Sequence, residues 1–146
     1  MVIAGEGGSI RRYTDGEVVF REGDEGTHLY VINEGAVRIR KDGDIVATVV
    51  AEFGPGEMFG ESAIIEHRPR SASALAVGET ELALYDRESF LEALRQDPEL
   101  ALRAMGALTE RLRVTTQRLQ DVCTQHVLDR AEMVLTERAI LEAELS

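Results

Sequence analysis

The hydrophobic period of this chain changes once, at about Asp86, and that change divides the sequence into a β-rich part and a helical part. From Glu17 to Asp86 the apolar residues come in short runs separated by Gly, Asp and Pro, the pattern of a small antiparallel roll with tight turns. Strands are expected at Val18–Phe20, Leu29–Ile32, Ala36–Arg40, Ile45–Val50, Ser71–Val77 and Glu81–Tyr85. Lys41-Asp42-Gly43-Asp44 separates two of these runs, and its Asp-Gly pair suits the positive φ of a hairpin turn.

Beyond the strands, Asp86 is placed to cap a short helix reaching Gln96. Asp97-Pro98-Glu99 then supplies an N-cap, a proline at the first helical position and a favourable acid for a long helix. Ala101, Met105, Leu108, Leu112, Thr115, Leu119, Val122 and His126 alternate steps of four and three, a heptad seam that wants a partner helix. Packing on the chain's own roll is the competing arrangement. From Pro98 past Val122, however, a helix is roughly 35 Å long at 1.5 Å per residue, more than the face of a small β domain covers. Pairing into a parallel homodimer follows. After Cys123, itself expected to be a small buried residue, the apolar positions shift to Val127, Ala131, Val134, Leu141 and Leu145. The helix either breaks near Thr124–Gln125 or continues with a changed seam.

A chain of 146 residues, 44% of them hydrophobic, suffices for one buried core plus a helical extension. No apolar run approaches the roughly 20 residues of a membrane helix, and Met1 to Arg12 carries Gly, Glu and Ser where a signal peptide is apolar. A cytoplasmic protein without membrane association is expected. The net charge of −11 opposes nucleic-acid binding by the surface as a whole. A single cysteine allows neither an internal disulfide nor a cysteine-based zinc site. His28, His67 and His126 lack the paired spacing of metal ligands, so neither a metal nor catalysis is expected.

The most informative stretch runs Phe59-Gly60-Glu61-Ser62-Ala63-Ile64-Ile65-Glu66-His67-Arg68-Pro69-Arg70-Ser71-Ala72-Ser73-Ala74. It resembles the phosphate-binding cassette of cyclic-nucleotide-binding domains, from the glycine–glutamate pair to the arginine followed by small residues. Glu22-Gly23-Asp24-Glu25-Gly26 and Leu29-Tyr30-Val31-Ile32-Asn33-Glu34-Gly35 look like the glycine-punctuated strands that precede the cassette in that family. The resemblance implies a mainly β fold with α: an antiparallel β-roll of the double-stranded β-helix (jelly-roll) type over residues 1–97, then a dimerisation helix over 98–146.

Physical chemistry supports the same site. Burying a cyclic phosphate demands a fixed cation with several donors, which the guanidinium of Arg70 supplies better than an ammonium. A helical turn from Glu61 to Ile64, hinged at Gly60, points free N–H groups at an anion, and Ser62 and Ala63 lend those amides. Glu61 is the expected acceptor for the ribose 2′-OH, and Gly60 has no side chain to obstruct the sugar. Ser71 could touch either the phosphate or a guanine amino group, so it does not choose the base. An ordinary exposed salt bridge is the competing reading of Arg70 and Glu61.

Glu110-Arg111-Leu112-Arg113-Val114-Thr115-Thr116 resembles the dimer helix of the bacterial Crp/Fnr-type cyclic AMP receptors. That resemblance implies that Thr115 meets the adenine of its own subunit and Thr116 the adenine bound across the dimer. A Thr–Thr contact, or a hydroxyl bonded back to a helix carbonyl, satisfies the same atoms. Cyclic AMP is therefore the expected ligand and cyclic GMP the alternative. Val127 to Ser146 leaves room for at most one more helix and no recognition helix, so DNA binding by this chain alone is not expected. A stand-alone receptor with a protein effector, the sensor half of a longer regulator, and a dimerising module that has lost its ligand all remain open.

Overall fold

The computed structural model describes residues 8–43 and 46–145. Its elements are β1 (Ser9–Tyr13), β2 (Val18–Phe20), β3 (His28–Lys41), β4 (Thr48–Phe53), β5 (Met58–Phe59), α1 (Ser62–Ile65), β6 (Ser73–Asp86), α2 (Arg87–Gln96) and α3 (Glu99–Leu145). The strands form one antiparallel sheet in the order β1-β6-β3-β4, with β2 added to β6 and β5 to β3.

Two strands of 14 residues each, β3 and β6, are the spine, paired from His28↔Asp86 to Arg40↔Ser73. Each unites two expected strands, because Asn33-Glu34-Gly35 and Gly78-Glu79-Thr80 read as turns in sequence yet form an irregularity inside a continuous ladder. Gly35 has φ +84, and a Cβ there would lie 2.4 Å from the Glu79 carbonyl oxygen, so the bulge requires glycine. The buried Thr80 hydroxyl donates to the Ala36 carbonyl at 3.1 Å and so ties the two sides of the bulge.

Other boundaries also differ from expectation. Strand β6 begins at Ser73 rather than Ser71, and β4 occupies Thr48–Phe53 rather than Ile45–Val50. In β4 the apolar pair Val49 and Val50 is exposed, and Phe53 is the residue that packs on the core. Asp44 and Ile45, which belong to the expected hairpin and strand, lie outside the described residues. Two strands escaped the sequence reading altogether. In β1 the side chains alternate weakly and Ile10 is exposed, while β5 has only two residues.

Tyr13, Tyr30, Ile32, Val37, Phe59, Ala74, Ala76, Leu82 and Leu84 form the core of the roll. Each large member contributes about 1.5–3 kcal/mol by leaving water. At the His28 end, Leu29, Val31, Ala83 and Tyr85 are buried as well, so β3 and β6 are covered there on both faces. Phe90 of α2 meets Tyr85 edge-on, with ring centroids 6.5 Å apart. Asp86 caps α2 as expected, accepting the Ser89 N–H at 2.7 Å.

The chain falls into two compact units, Met1–Ala104 and Met105–Ser146. Helix α3 is continuous for 47 residues, so there is no break at Thr124–Gln125 and the changed seam continues on the same helix. Among the described residues, no helix is long and apolar enough to cross a membrane.

Candidate functional site

The site is built on the short connection between β5 and β6. Gly60 has φ +75 and turns the chain out of β5 into α1. Glu61 stands at the N-cap position, and its carbonyl accepts the N–H groups of Ile64 and Ile65 at 3.1 and 3.0 Å. The helical turn is thus Ser62–Ile65, one residue later than expected, with the Ser62 and Ala63 amides in its first turn. Its other end is held from outside: Arg87 Nη1 donates to the Ile64 carbonyl at 2.9 Å, beside a cleft of about 320 Å³ lined by Gly26, Thr27, His67 and Glu88 among others.

Arg70 returns the chain to the roll with its backbone bonded in both directions. Its N–H donates to the Asp24 carbonyl and its carbonyl accepts from the Gly23 N–H, each at 2.8 Å. The residue is only 6% exposed. Nη1 donates to the Gly60 carbonyl at 2.7 Å and Nη2 to the His28 carbonyl at 2.6 Å. The guanidinium lies 4.1 Å from the centre of the Phe20 ring and 5.6 Å from that of Tyr30, a cation–π arrangement at the edge of the aromatic core. Burial lowers the Arg70 pKa, while Tyr30, Glu61 and Asp24 act in the opposite direction. Nε is buried with no hydrogen-bond partner, a donor left over inside the site.

Glycines shape the wall around this cation. A Cβ at Gly26 would fall 2.3 Å from Ala63 Cβ and 2.6 Å from Arg70 Cζ, and one at Gly60 would fall 2.8 Å from Arg70 Nη1. Buried arginine, unpaired Nε–H and a helical turn starting beside them suit an anion carrying several acceptor oxygens.

Of the expected site residues, Gly60, Glu61, Ser62, Ala63, Arg70 and Ser71 are brought together on this connection, with Glu61 half-buried and Ser71 exposed. Thr115 and Thr116 lie on α3 in the second unit, both exposed, and the Thr115 hydroxyl donates to the Arg111 carbonyl at 2.8 Å. That is the back-bonded alternative raised by its position in a helix. Cys123 is exposed, contrary to the expectation of a buried residue, because the helix there has no neighbour of its own chain to cover it within the second unit. Sequence reasoning missed Phe20, Tyr30 and the His28 carbonyl as partners of Arg70. Gly26 carried the one available signal, a glycine spaced from Gly23 in a stretch that has no need of a second turn. Among the described residues, no group of three or more His, Cys, Asp or Glu side chains is placed to hold a metal ion.

A roll of antiparallel strands that presents a buried arginine across from a glycine-hinged helical turn defines a receptor for a small anionic ligand. The chain belongs to the cyclic nucleotide-binding domain family, whose model matches residues 10–97. It is 39% identical over 104 residues to the cyclic AMP receptor protein of Thermus thermophilus, covering 70% of this chain and 48% of that protein. It is 33% identical over 125 residues to a CRP-like cAMP-activated global transcriptional regulator of Mycobacterium tuberculosis, covering 85% and 56%. The chain spans about half the length of these relatives. Among solved structures, the Thermus thermophilus catabolite activator protein superposes with a TM-score of 0.69 at 36% identity, covering 77% of this chain and 54% of that one.

Proposed function

We propose that the chain is a non-catalytic cyclic AMP receptor of the cytoplasm, with a ligand-binding roll over residues 1–97 and a dimerisation helix over 98–146. The observation that carries the reading is Arg70, a buried cation with an unpaired Nε–H in a wall of glycines. In this reading Arg70 and the amides of Ser62 and Ala63 hold the cyclic phosphate. Glu61 accepts the ribose 2′-OH, Gly60 leaves room for the sugar, and Ser71 adds a hydroxyl to the phosphate. Cyclic AMP is preferred to cyclic GMP because both named relatives are described as cyclic AMP receptors or cAMP-activated. Thr115 and Thr116 read the adenine from the two helices of a homodimer, the Thr115 oxygen accepting from the adenine amino group while its O–H still donates to the Arg111 carbonyl. Phosphate binding orders the cassette, the base engages the helix pair, and the pair changes register or angle.

The output is a protein effector or, in a second reading, a regulator of which this chain is the sensor part. Alignment to about half of each transcription-regulator relative favours the second reading. DNA binding belongs in neither case to these residues alone.

Calorimetric titration with cyclic AMP and cyclic GMP, beside an Arg70→Ala variant, tests the reading. Tight cyclic AMP binding that falls by about 100-fold or more in the variant is expected, the scale of a charged hydrogen-bonding group removed from a desolvated site. Absence of binding for both nucleotides by the wild type sinks it.

A further inference from the structure

We infer that Phe20 is a positioning residue of the phosphate site, its ring holding the Arg70 guanidinium in the pose that receives the ligand, an inference that rests on the cyclic-nucleotide reading of that site. Phe20 closes the three-residue strand β2, where the pairing with β6 slips out of register between Val18 and Phe20. Its ring centre lies 4.1 Å from Arg70 Cζ, and the ring leans on Tyr30 and Phe59 at centroid separations of 5.7 and 6.1 Å. The same ring borders the other end of the cassette, since a Cβ at Gly60 would lie 3.4 Å from Phe20 Cε2 and 2.8 Å from Arg70 Nη1.

An aliphatic side chain of similar size fills the same space, so the difference lies in the electrons of the ring. Arg70 is buried, and its two Nη groups donate to neutral carbonyls, those of Gly60 and His28. A carboxylate against the guanidinium would steady it by taking N–H donors and cancelling charge, the two properties a phosphate needs. The negative face of a ring attracts the cation and takes neither. The Arg70 main chain is already fixed by Gly23 and Asp24, so the freedom that remains is in the side-chain torsions. Phe20 restricts those torsions, with Tyr30 as a second ring at 5.6 Å. A guanidinium that spends only part of its time in the receiving pose lowers the apparent affinity by that fraction. Phe20 thus acts through Arg70 and not on the ligand.

The test is titration of the full chain with cyclic AMP after changing the ring in two ways. In a series of 4-fluoro-, 3,5-difluoro- and 3,4,5-trifluorophenylalanine at position 20, shape and apolarity hardly change while fluorine drains the negative face of the ring. Affinity is expected to fall stepwise along the series, to about 3- to 10-fold below wild type at the trifluoro ring, the scale of a partly desolvated cation–π contact. Phe20→Leu is expected to show a loss of the same size. In the ligand-free chain, solvent exchange of the Arg70 Nε–H, followed by nitrogen-15 NMR, is expected to quicken in the same order as the affinity falls. A ring that serves only as filler lowers the melting temperature in Phe20→Leu and gives no gradient along the fluorinated series. A flat affinity along that series, with cyclic AMP bound by the wild type, overturns this inference and spares the receptor reading. So does a falling affinity with an unchanged Arg70 Nε–H, which places the ring on the ligand itself. A wild type that binds no cyclic nucleotide overturns both.

Discussion

The two units of this chain solve opposite problems. In the first, polar groups find partners across long sequence separations: Arg70 on the carbonyl of His28, Lys41 on Glu22 and Ser71, Gly78 on Asp15. In the second, bonds such as Thr115 to Arg111, Gln117 to Asp121 and Gln125 to Asp129 run four positions along one helix. The apolar side chains divide the same way. Phe59 is 1% exposed, whereas Leu119 is 64% exposed and Leu112 67%. Backbone bonds within a helix close without help from other elements, but an apolar stripe does not. The roll carries its own core, whereas on α3 large apolar side chains stay exposed, the face that the proposed dimer would cover.

Matched truncations break or sharpen this contrast. Phe59→Ala removes a buried ring that stacks on Tyr30 at 5.1 Å and touches Phe20 and Phe53. It is expected to lower the stability of the roll by about 3–5 kcal/mol, read as a shift in the urea midpoint. Leu119→Ala is expected to leave that midpoint in place and to raise the concentration at which the protein dissociates in sedimentation. A Leu119→Ala protein as destabilised as Phe59→Ala, at all concentrations, contradicts the division.

Glycines provide the next pair. Gly26→Ala drives a methyl against Ala63 and Arg70 and is expected to cost about 1–3 kcal/mol as overpacking, with a parallel loss of nucleotide affinity. Gly106→Ala in α3 meets nothing within 4 Å and is expected to stabilise the helix by up to about 1 kcal/mol. Circular dichroism melts of the two variants separate the effects, and a stabilised Gly26→Ala protein contradicts the crowded wall around Arg70.

What the sequence revealed follows the same line between local and distant contacts. The cassette from Gly60 to Arg70 is contiguous, so its hinge, helical turn and guanidinium were legible, as was the Asp86 cap three residues from its donor. The stacking of Arg70 on Phe20 and Tyr30 joins residues 50 and 40 positions apart, and no local pattern announces it. Strand β1 was hidden for the same reason, its partners Thr80 to Leu84 lying some 70 residues on. Glycines misled where they sit inside strands. Gly35 and Gly78 have positive φ like turn residues, yet the ladder between β3 and β6 runs past them. The continuity of α3 was open because the apolar seam shifts phase, although no Gly or Pro occurs between Gly106 and Leu145 to end the helix.

The smallest expected effect is a pH dependence confined to the first unit. The Lys41 side chain, followed by the Asp42 N–H, holds the Glu22 carboxyl below its ordinary pKa. A group with a depressed folded-state pKa stabilises the fold above its unfolded pKa, and that contribution fades as pH falls through the folded value. The Glu22–Lys41 bond should therefore hold at neutral pH and be lost at the acid end of the carboxylate range. Because the pair is exposed, the change in total stability is slight and shrinks in high salt. Its local trace is larger: the Asp42 amide, whose N–H is bonded to the carboxylate, should lose protection on acidification, its exchange slowing less than the intrinsic rate does. Glu22→Gln should flatten that response, since the neutral amide can still accept the Asp42 N–H but no longer titrates. An identical acid response in wild type and Glu22→Gln assigns the loosening of this corner to some other carboxylate and removes Glu22 as the group that binds the hairpin to the cassette.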